Sequence, residues 1–210
     1  VLTSIKAPGD IYSEEGFLAN GGGEYSWLID PLCGTNCYAS GLATFGICIS
    51  LLRPNGTLVL GVITMPSITE RLATVVTKSV TRNGRPWLPT GPKSELKNTL
   101  IGVSVGGSWG NIGNSLVWAG ETGGIISFGS APYSLFHLAS GHLGAQLVFN
   151  AGVEHIAAGA AVCQQLGLEV TDASGSDIDW RVNQIYDCVL ISWPQYHDEL
   201  TDLLFKDSFQ

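Results

Sequence analysis

The clearest pattern along the chain is a pair of apolar runs of strand length in its first half. Residues 45–52 and 58–64 are the two runs, and the turn-forming segment Pro54-Asn55-Gly56-Thr57 separates them. This order predicts a β-hairpin with buried strands. The same reasoning predicts further strands at residues 25–29, 100–105, 168–170, 182–186 and 188–192, and a weakly alternating segment at 70–78 that leads to an Asn83-Gly84 turn.

Helical spacing of apolar residues follows in the second half of the chain. It predicts helices over residues 133–140, 154–166 and 196–205, the first two followed by Gly141 and Gly167. Strands mixed with helices, without strict alternation, predict a layered α/β (α+β) sandwich. We expect one domain over residues 1–210, with halves at about 1–105 and 106–210. The glycine-rich segments 20–23 and 106–110 predict loops, and no lysine follows the second as a phosphate-binding loop would require.

Composition narrows the function classes. Of the 210 residues 45% are hydrophobic and 13% charged, which permits a sizeable core and argues against disorder. A net charge of −8 excludes the basic stripe of a nucleic-acid-binding protein. So few charges also indicate that part of the apolar surface is covered by a protein partner.

Cysteine usage and the chain ends bear on location. The five cysteines are an odd number without a CxxC pair, which predicts free thiols in a reducing compartment. No signal-peptide pattern starts the sequence, and no run of about 18 apolar residues predicts a membrane helix. We therefore expect a cytoplasmic protein without membrane contact.

The segment 27–35, Trp-Leu-Ile-Asp-Pro-Leu-Cys-Gly-Thr, carries the most specific motif. It resembles the signature of the inositol monophosphatase family, Trp-x-Ile-Asp-Pro-aliphatic-Asp-Gly-Thr. Four further segments resemble family landmarks in the same order: Glu14-Glu15, the hairpin residues 61–70, Phe128-Gly129-Ser130-Ala131, and residues 155–160, which resemble the family's Trp-Asp-x-Ala-Gly motif. The resemblance implies an inositol-monophosphatase-like α/β fold. It also implies that this sequence lacks the family's N-terminal helical pair.

The resemblance assigns roles residue by residue. The family binds two or more Mg²⁺ ions through carboxylates and a backbone carbonyl, and Mg²⁺ prefers such hard oxygen ligands. Glu14, Asp30 and the Leu32 carbonyl match one ion position, and Thr35 matches the threonine that orients water. Cys33 stands in place of the second signature aspartate, and a thiol is a poor Mg²⁺ ligand. The backbone of Cys33, Gly34 and Thr35 still matches the anion-binding turn, because main-chain donors do not depend on the side chain.

The late aspartate of the family is also replaced. Two alignments that differ by one residue are possible at this position. In one register Ile156 takes its place, with His155 in place of the tryptophan. In the other, His155 itself occupies the ligand position. Glu154 is a substitute carboxylate only if the helix shifts. We therefore expect no bound metal, or a single Mg²⁺ on Glu14, Asp30 and Leu32.

These replacements predict a repurposed site. The first hypothesis assigns Glu14, Asp30, Thr35 and His155 to a catalytic centre that expels sulfate or phosphate from a small anionic substrate in secondary metabolism. A branch resembling this family forms aziridine rings in this way as a two-protein complex. The second hypothesis is a non-catalytic subunit that stabilises a related partner, and the third is a weak Mg²⁺-dependent phosphomonoesterase. A heteromeric protein partner is expected in the first two cases.

Overall fold

The computed structural model describes residues 9–19, 22–106, 118–172 and 174–206. Its strands are β1 (Asp10–Ser13), β2 (Gly16–Ala19), β3 (Ser26–Cys33), β4 (Gly46–Leu52), β5 (Leu58–Met65), β6 (Glu70–Val75), β7 (Thr81–Arg82), β8 (Arg85–Pro86), β9 (Leu100–Val105), β10 (Gly124–Ile126), β11 (Ala145–Gly152), β12 (Glu169–Asp172) and β13 (Ile185–Ser192). Its helices are α1 (Thr35–Ala39), α2 (Ala131–Ala139), α3 (Val153–Gln165) and α4 (Pro194–Lys206).

The strands form two sheets with a helix pair between them. The first sheet has the order β2-β1-β3-β4-β5-β6-β7-β8, and the second has the order β10-β9-β11-β13-β12. Helix α3 contacts strands β3 to β6 of the first sheet and β11 to β13 of the second, and α2 packs beside it. The molecule is therefore a layered α/β sandwich, as the sequence predicted.

Small residues bring helix α3 close to the first sheet. Its buried face is rich in alanine, and Ala157, Ala158 and Ala160 are fully buried. Opposite it, a Cβ atom on Gly61 of β5 would lie only 2.3 Å from the Ala158 carbonyl oxygen. Because a larger residue than glycine would clash here, α3 can pack closely against β5. The first turn of α3, which carries His155, is placed with it.

Several predicted elements are confirmed. Strands β4 and β5 form the expected antiparallel hairpin. Asn83 and Gly84 both adopt positive φ, 51° and 80°, as a tight hairpin turn between β7 and β8 requires. The three predicted helices correspond to α2, α3 and α4, with bounds that differ by a few residues.

Other elements differ from the prediction. The predicted strands 182–186 and 188–192 are one strand, β13, which begins at Ile185 after a turn at residues 182–183. Strand β6 ends at Val75, short of residue 78, because a turn with Thr77 at φ 77° follows it. The sequence pattern did not predict β1, β2, β10, β11 or α1. The predicted loop residues 20, 21 and 107–110 lie outside the described residues.

The five cysteines form no disulfide bond, as predicted. Across the described ranges, no helix combines the length and apolar character needed to cross a membrane.

Candidate active site

Strand pairing places the first candidate residue, Glu14, beside the family signature. Strand β1 runs parallel to β3 with Ser13 opposite Ile29, and the Glu14 N–H donates to the Ile29 carbonyl at 3.1 Å. Glu14 therefore follows β1 at the level of Asp30. Partial burial and the negative charge of Asp30 raise the pKa of the exposed Glu14 carboxyl. The two carboxylates are neighbours.

Asp30 is the buried centre of the site. Its side chain is fully buried, and β3 pairs it with Cys48 on β4 just before a register shift at Cys33. One carboxylate oxygen, Oδ1, accepts the Leu32 N–H at 3.0 Å, and the other, Oδ2, lies 2.5 Å from Nδ1 of His155. Both oxygens therefore have partners within the protein.

His155, in the first turn of α3, is the second member of the site. Its Nδ1 atom faces Asp30 and lies 3.9 Å from the Cys33 sulfur, while Nε2 lies 3.4 Å from a carboxylate oxygen of Glu154. Burial lowers the pKa of His155, but the hydrogen bond and charge of Asp30, with Glu154 and Glu14, outweigh it and raise the pKa.

The register left open by the sequence is decided by this geometry. Ile156 is fully buried in the core, so the interpretation that put Ile156 in place of the late aspartate is wrong. On the described helix the residue that points at Asp30 is His155, because the next residue belongs to the face packed between the sheets. Glu154 reaches the site through His155 without a shift of the helix.

Two buried thiols lie under the site. Cys33 is 6% exposed and Cys48 is fully buried, and the Cys48 thiol donates to the His155 carbonyl at 3.6 Å. Burial, then the Cys48 thiol and Asp30, raise the pKa of Cys33 well above its ordinary value. A thiol held in this form is a poor nucleophile, which favours a packing role for Cys33 as long as no cation displaces its proton.

A cavity of about 530 Å³ opens beside these residues. Glu14, Cys33, Gly34, Thr35 and His155 line it, as do the residues that begin α2. Gly34 has φ 92°, and a Cβ there would lie 2.9 Å from both the Ser130 side chain and the Thr44 carbonyl, so the turn before α1 requires glycine.

Further hydrogen bonds hold the turn before α1. The Ser130 hydroxyl donates to the Cys33 carbonyl at 3.1 Å, and the Thr35 hydroxyl donates to the Leu32 carbonyl at 3.0 Å. The predicted site residues thus converge on one cavity, with Asp30 buried beneath it. Leu32 contributes through its backbone.

The donor set can be compared with the Mg²⁺ sites that the motif implies. Glu14, Asp30 and the Leu32 carbonyl are oxygen donors, so they retain part of one Mg²⁺ position. At the second position the donors are the thiol of Cys33 and the imidazole of His155, neither of which is a hard oxygen ligand. The two-Mg²⁺ arrangement therefore does not fit this site, and we derive no step through it.

Sequence comparison assigns the class of protein. The family model of the inositol monophosphatase family matches residues 4–205, so the chain belongs to that family. Among curated proteins it is 32% identical to the Nus factor SuhB of Pseudomonas aeruginosa, covering 79% of this chain and 64% of that protein. It is 29% identical to the inositol-1-monophosphatase of Mesorhizobium japonicum, covering 80% of this chain and 64% of the relative. The chain thus spans slightly less than two thirds of these relatives.

Structural comparison agrees with this assignment. The inositol monophosphatase of Anabaena superposes with a TM-score of 0.86 at 26% identity, covering 98% of this chain and 81% of that one. The structure of the Thermotoga maritima enzyme superposes with a TM-score of 0.83 at 23% identity, covering 99% and 78%, which supports the fold. The predicted α/β inositol-monophosphatase-like fold is confirmed.

Sequence reasoning missed two contributors to the site. Cys48 lies in the apolar pattern of β4, where nothing distinguishes it from a core residue, yet it pairs with Asp30 and contacts His155. Ser104, at the end of β9, lines the cavity and accepts a hydrogen bond from the buried Gln146 at 3.1 Å. A polar residue late in an apolar strand was the available signal for Ser104.

Proposed function

We propose that this protein binds the phosphate or sulfate ester of a small molecule and assists the departure of that group by cleavage of the carbon–oxygen bond. The observation that carries the proposal is the contact of His155 with Asp30 at the place of a family carboxylate. Hydrolysis by the family's chemistry uses metal ions to activate water and to stabilise the leaving oxygen. The replaced ligands remove much of that apparatus, while the cavity persists.

The cavity suits a small anionic ester. Its volume of about 530 Å³ lies within the range of small-molecule sites. The start of α2, at Ser130 and Ala131, lines the cavity beside the Gly34-Thr35 turn. At the start of α2 the Ala131 N–H is directed at the Cys33 sulfur and Pro132 has no N–H. We therefore assign the ester group to the space between the Gly34-Thr35 turn and His155, which line the same cavity.

The proposed reaction needs a base and a stabilised leaving group. Glu14 lines the cavity, and its raised pKa makes it a stronger base than an ordinary carboxylate. Glu14 takes a proton from the substrate, the substrate electron pair forms a new bond, and the carbon–oxygen bond breaks. The ester oxygen leaves with its electron pair as part of inorganic phosphate or sulfate. The balance requires no oxidant and no activated water.

The resemblance to the aziridine-forming branch suggests the substrate class. In an ester with an amine on the adjacent carbon, the nitrogen attacks the carbon that bears the leaving group and closes a three-membered ring. The proton lost from nitrogen is the one that Glu14 accepts. We therefore propose a substrate from secondary metabolism.

A protein partner forms part of the proposal. Ile29, Ile49 and Val62 form one row of neighbours across β3, β4 and β5 and are all partly exposed. Their row lies on the face of the first sheet opposite to α3. A related subunit that covers this apolar row would complete the protein as a heteromer, in which this chain is the catalytic or the stabilising member.

A weak Mg²⁺-dependent phosphomonoesterase is the second candidate. Glu14, Asp30 and the Leu32 carbonyl still gather three oxygen donors, and the Mesorhizobium japonicum relative is named an inositol-1-monophosphatase. Under this alternative these donors would hold one Mg²⁺, which would supply positive charge to the phosphate, and water would attack phosphorus, so the carbon–oxygen bond would stay intact.

The site of bond cleavage separates these candidates. The purified chain, alone and with candidate partners, is incubated with 2-aminoethyl sulfate or 2-aminoethyl phosphate in oxygen-18-labelled water. Carbon–oxygen cleavage releases an anion without solvent oxygen, and hydrolysis at phosphorus adds one labelled oxygen. We expect unlabelled anion, lost in Glu14→Gln and retained in the control Glu15→Gln. Labelled phosphate in a Mg²⁺-dependent reaction would establish the alternative, and no release under any condition would overturn the catalytic proposal.

A further inference from the structure

Asp30, Cys33 and His155 form a compact cluster of metal-ligating side chains. One ligand atom from each lies within 4.8 Å of the other two, and in the described part of the chain this is the one cluster of three or more such residues found. An aspartate oxygen, a thiol sulfur and an imidazole nitrogen together are typical ligands of Zn²⁺ and related borderline-soft cations, and not of Mg²⁺.

We propose that Asp30, Cys33 and His155 bind one borderline-soft divalent cation of the Zn²⁺ type, with its remaining position open to the cavity. This changes the metal preference that the family motif implies. It also deepens the proposed function, because it identifies where positive charge for the ester group comes from.

One ligand distance is near the value that such an ion requires, and a second is shorter. Zn²⁺ bonds of about 2.0–2.3 Å at tetrahedral angles put neighbouring ligand atoms about 3.3–3.7 Å apart. The Cys33 sulfur and His155 Nδ1 are 3.9 Å apart. His155 Nδ1 and Asp30 Oδ2 are 2.5 Å apart and share a hydrogen bond. Binding would release to solvent the Cys33 thiol proton and the proton between His155 and Asp30, and would separate the latter two atoms by about 1 Å.

The surroundings of His155 match those of a metal-binding histidine. Ligating imidazoles direct their second nitrogen to a carboxylate or carbonyl, which fixes the ring orientation and raises its basicity. Here Nδ1 faces Asp30 and Cys33, while Nε2 lies 3.4 Å from the Glu154 carboxylate. Cys33 and His155 both line the cavity. An ion can therefore enter the site through the cavity, and a substrate in the cavity can reach the ion.

The charge balance also favours a cation. Three carboxylates, those of Asp30, Glu14 and Glu154, act on the single imidazole of His155. None of the described residues that line the cavity is a lysine or an arginine. A dianionic phosphate would therefore meet an excess of negative charge unless a cation neutralises it. An ion at the cluster meets this need without any change in the fold.

Cobalt binding tests the inference without substrate. The chain is stripped with a chelator and titrated with Co²⁺, which reports thiolate ligation by a charge-transfer absorption band. We expect the band to appear and Zn²⁺ to displace it, while excess Mg²⁺ does not. In wild type, absence of the band, or equal competition by Mg²⁺, would overturn the proposal without depending on any variant.

Variants assign the ligands. Cys33→Ser and His155→Asn are expected to lose the band, and Glu154→Gln to weaken binding by about 10–100-fold. Cys37→Ser is the matched control, because Cys37 lines the same cavity but donates to the Phe128 carbonyl instead of joining the cluster. The control should bind as wild type does, and circular dichroism checks that each variant folds. Unchanged binding in folded Cys33→Ser or His155→Asn would overturn the site.

Failure of the reaction and failure of the metal site are distinguishable. Cobalt binding with no turnover of any ester leaves the site in place and removes the proposed function. Carbon–oxygen cleavage by a chain that shows no cobalt band retains the function and removes the metal site.

Discussion

Nδ1 of His155 lies 2.5 Å from Oδ2 of Asp30, although the two residues are 125 positions apart in the sequence. A basic ring thus stands against the buried aspartate where the family motif implies another carboxylate. The pKa of this imidazole is raised by Asp30, Glu154 and Glu14, so His155 offsets part, but not all, of the negative charge of these three carboxylates. This substitution changes the charge of the site without changing the fold that holds it.

We predict that the purified chain hydrolyses simple phosphomonoesters at far below the ~1 s⁻¹ typical of slow enzymes, even in excess Mg²⁺. The reason is the thiol and imidazole at the second ion position. Release of phosphate from 4-nitrophenyl phosphate, with and without EDTA, measures it. Turnover at or above that rate that disappears with EDTA would contradict the prediction.

The double variant Cys33→Asp/His155→Asp restores the family's carboxylates. We predict that it gains Mg²⁺-dependent phosphatase activity over wild type, because all side-chain oxygen donors of both ion positions are then present. Each single variant restores one donor and should gain less. A folded double variant that shows neither Mg²⁺-dependent activity nor Mg²⁺-dependent thermal stabilisation would show that other parts of the site have also diverged.

Stability should depend on pH through His155 with a defined sign. Its pKa is raised in the folded protein, so its contribution is fully present below the unfolded value of about 6.5 and is lost as the pH rises through the folded value. We expect the free energy of unfolding of wild type minus that of His155→Gln to decrease with rising pH above about 6.5. Urea titrations in chelating buffer across this range measure it, and a difference that rises or stays flat contradicts it.

The contribution of His137 to stability should change with pH in the direction opposite to that of His155. Burial and then the neighbouring His142 lower the pKa of His137, so its contribution is present above about 6.5 and is lost as the pH falls. His137→Gln should therefore make the protein relatively more stable in acid. If both histidine variants changed with pH in the same direction, the assignment of the two environments would be wrong.

Some secondary-structure elements could be predicted from the sequence and others could not. The β4–β5 hairpin and the Asn83-Gly84 turn followed from local residue chemistry, and α3 followed from its alanine spacing and Gly167. Strand β11 was missed although its apolar centre is bounded by glycines, because a central strand buried on both faces has no alternation. Helix α1 has only 5 residues and no buried side chain, so no periodicity could reveal it.

The site was harder to predict than the fold for a physical reason. The signature named Glu14, Asp30 and Thr35 because their spacing survives, but the late motif allowed His155 or Ile156. A shift of one residue turns a helix by about 100°, so only the packing of Ile156 between the sheets decides which side chain faces Asp30. Cys48 was missed because its role arises from strand pairing, which a sequence does not display.

Close packing of α3 on β5 gives a stability prediction. A Cβ on Gly61 would lie 2.3 Å from the Ala158 carbonyl oxygen and 2.8 Å from the Ala161 Cβ. We predict that Gly61→Ala lowers the free energy of unfolding by about 1–3 kcal/mol, because the helix must move away. Gly120→Ala is the control, since a Cβ there has nothing within 4 Å. If the two substitutions changed the free energy of unfolding equally in chemical denaturation, the close contact of α3 with Gly61 would not account for the loss of stability.

The last prediction concerns the row Ile29, Ile49 and Val62 on the outer face of the first sheet. Strand pairing puts these residues side by side, and each remains partly exposed. Contiguous apolar patches of more than a few hundred Å² are uncommon on monomers, and stable partners bury such patches in large interfaces. We therefore predict that the pure chain self-associates at micromolar concentration and that a related partner subunit displaces this association.

Sedimentation equilibrium of wild type, Ile49→Lys and Leu88→Lys tests this prediction. The lysine stem can lie along the sheet while its charge reaches water, so Ile49→Lys should keep the fold and lose the association. Leu88 is 84% exposed and lies outside the row, so Leu88→Lys should behave as wild type does. A wild-type chain that is monomeric and stable, with no gain in stability or activity from any partner, would show that the row needs no cover.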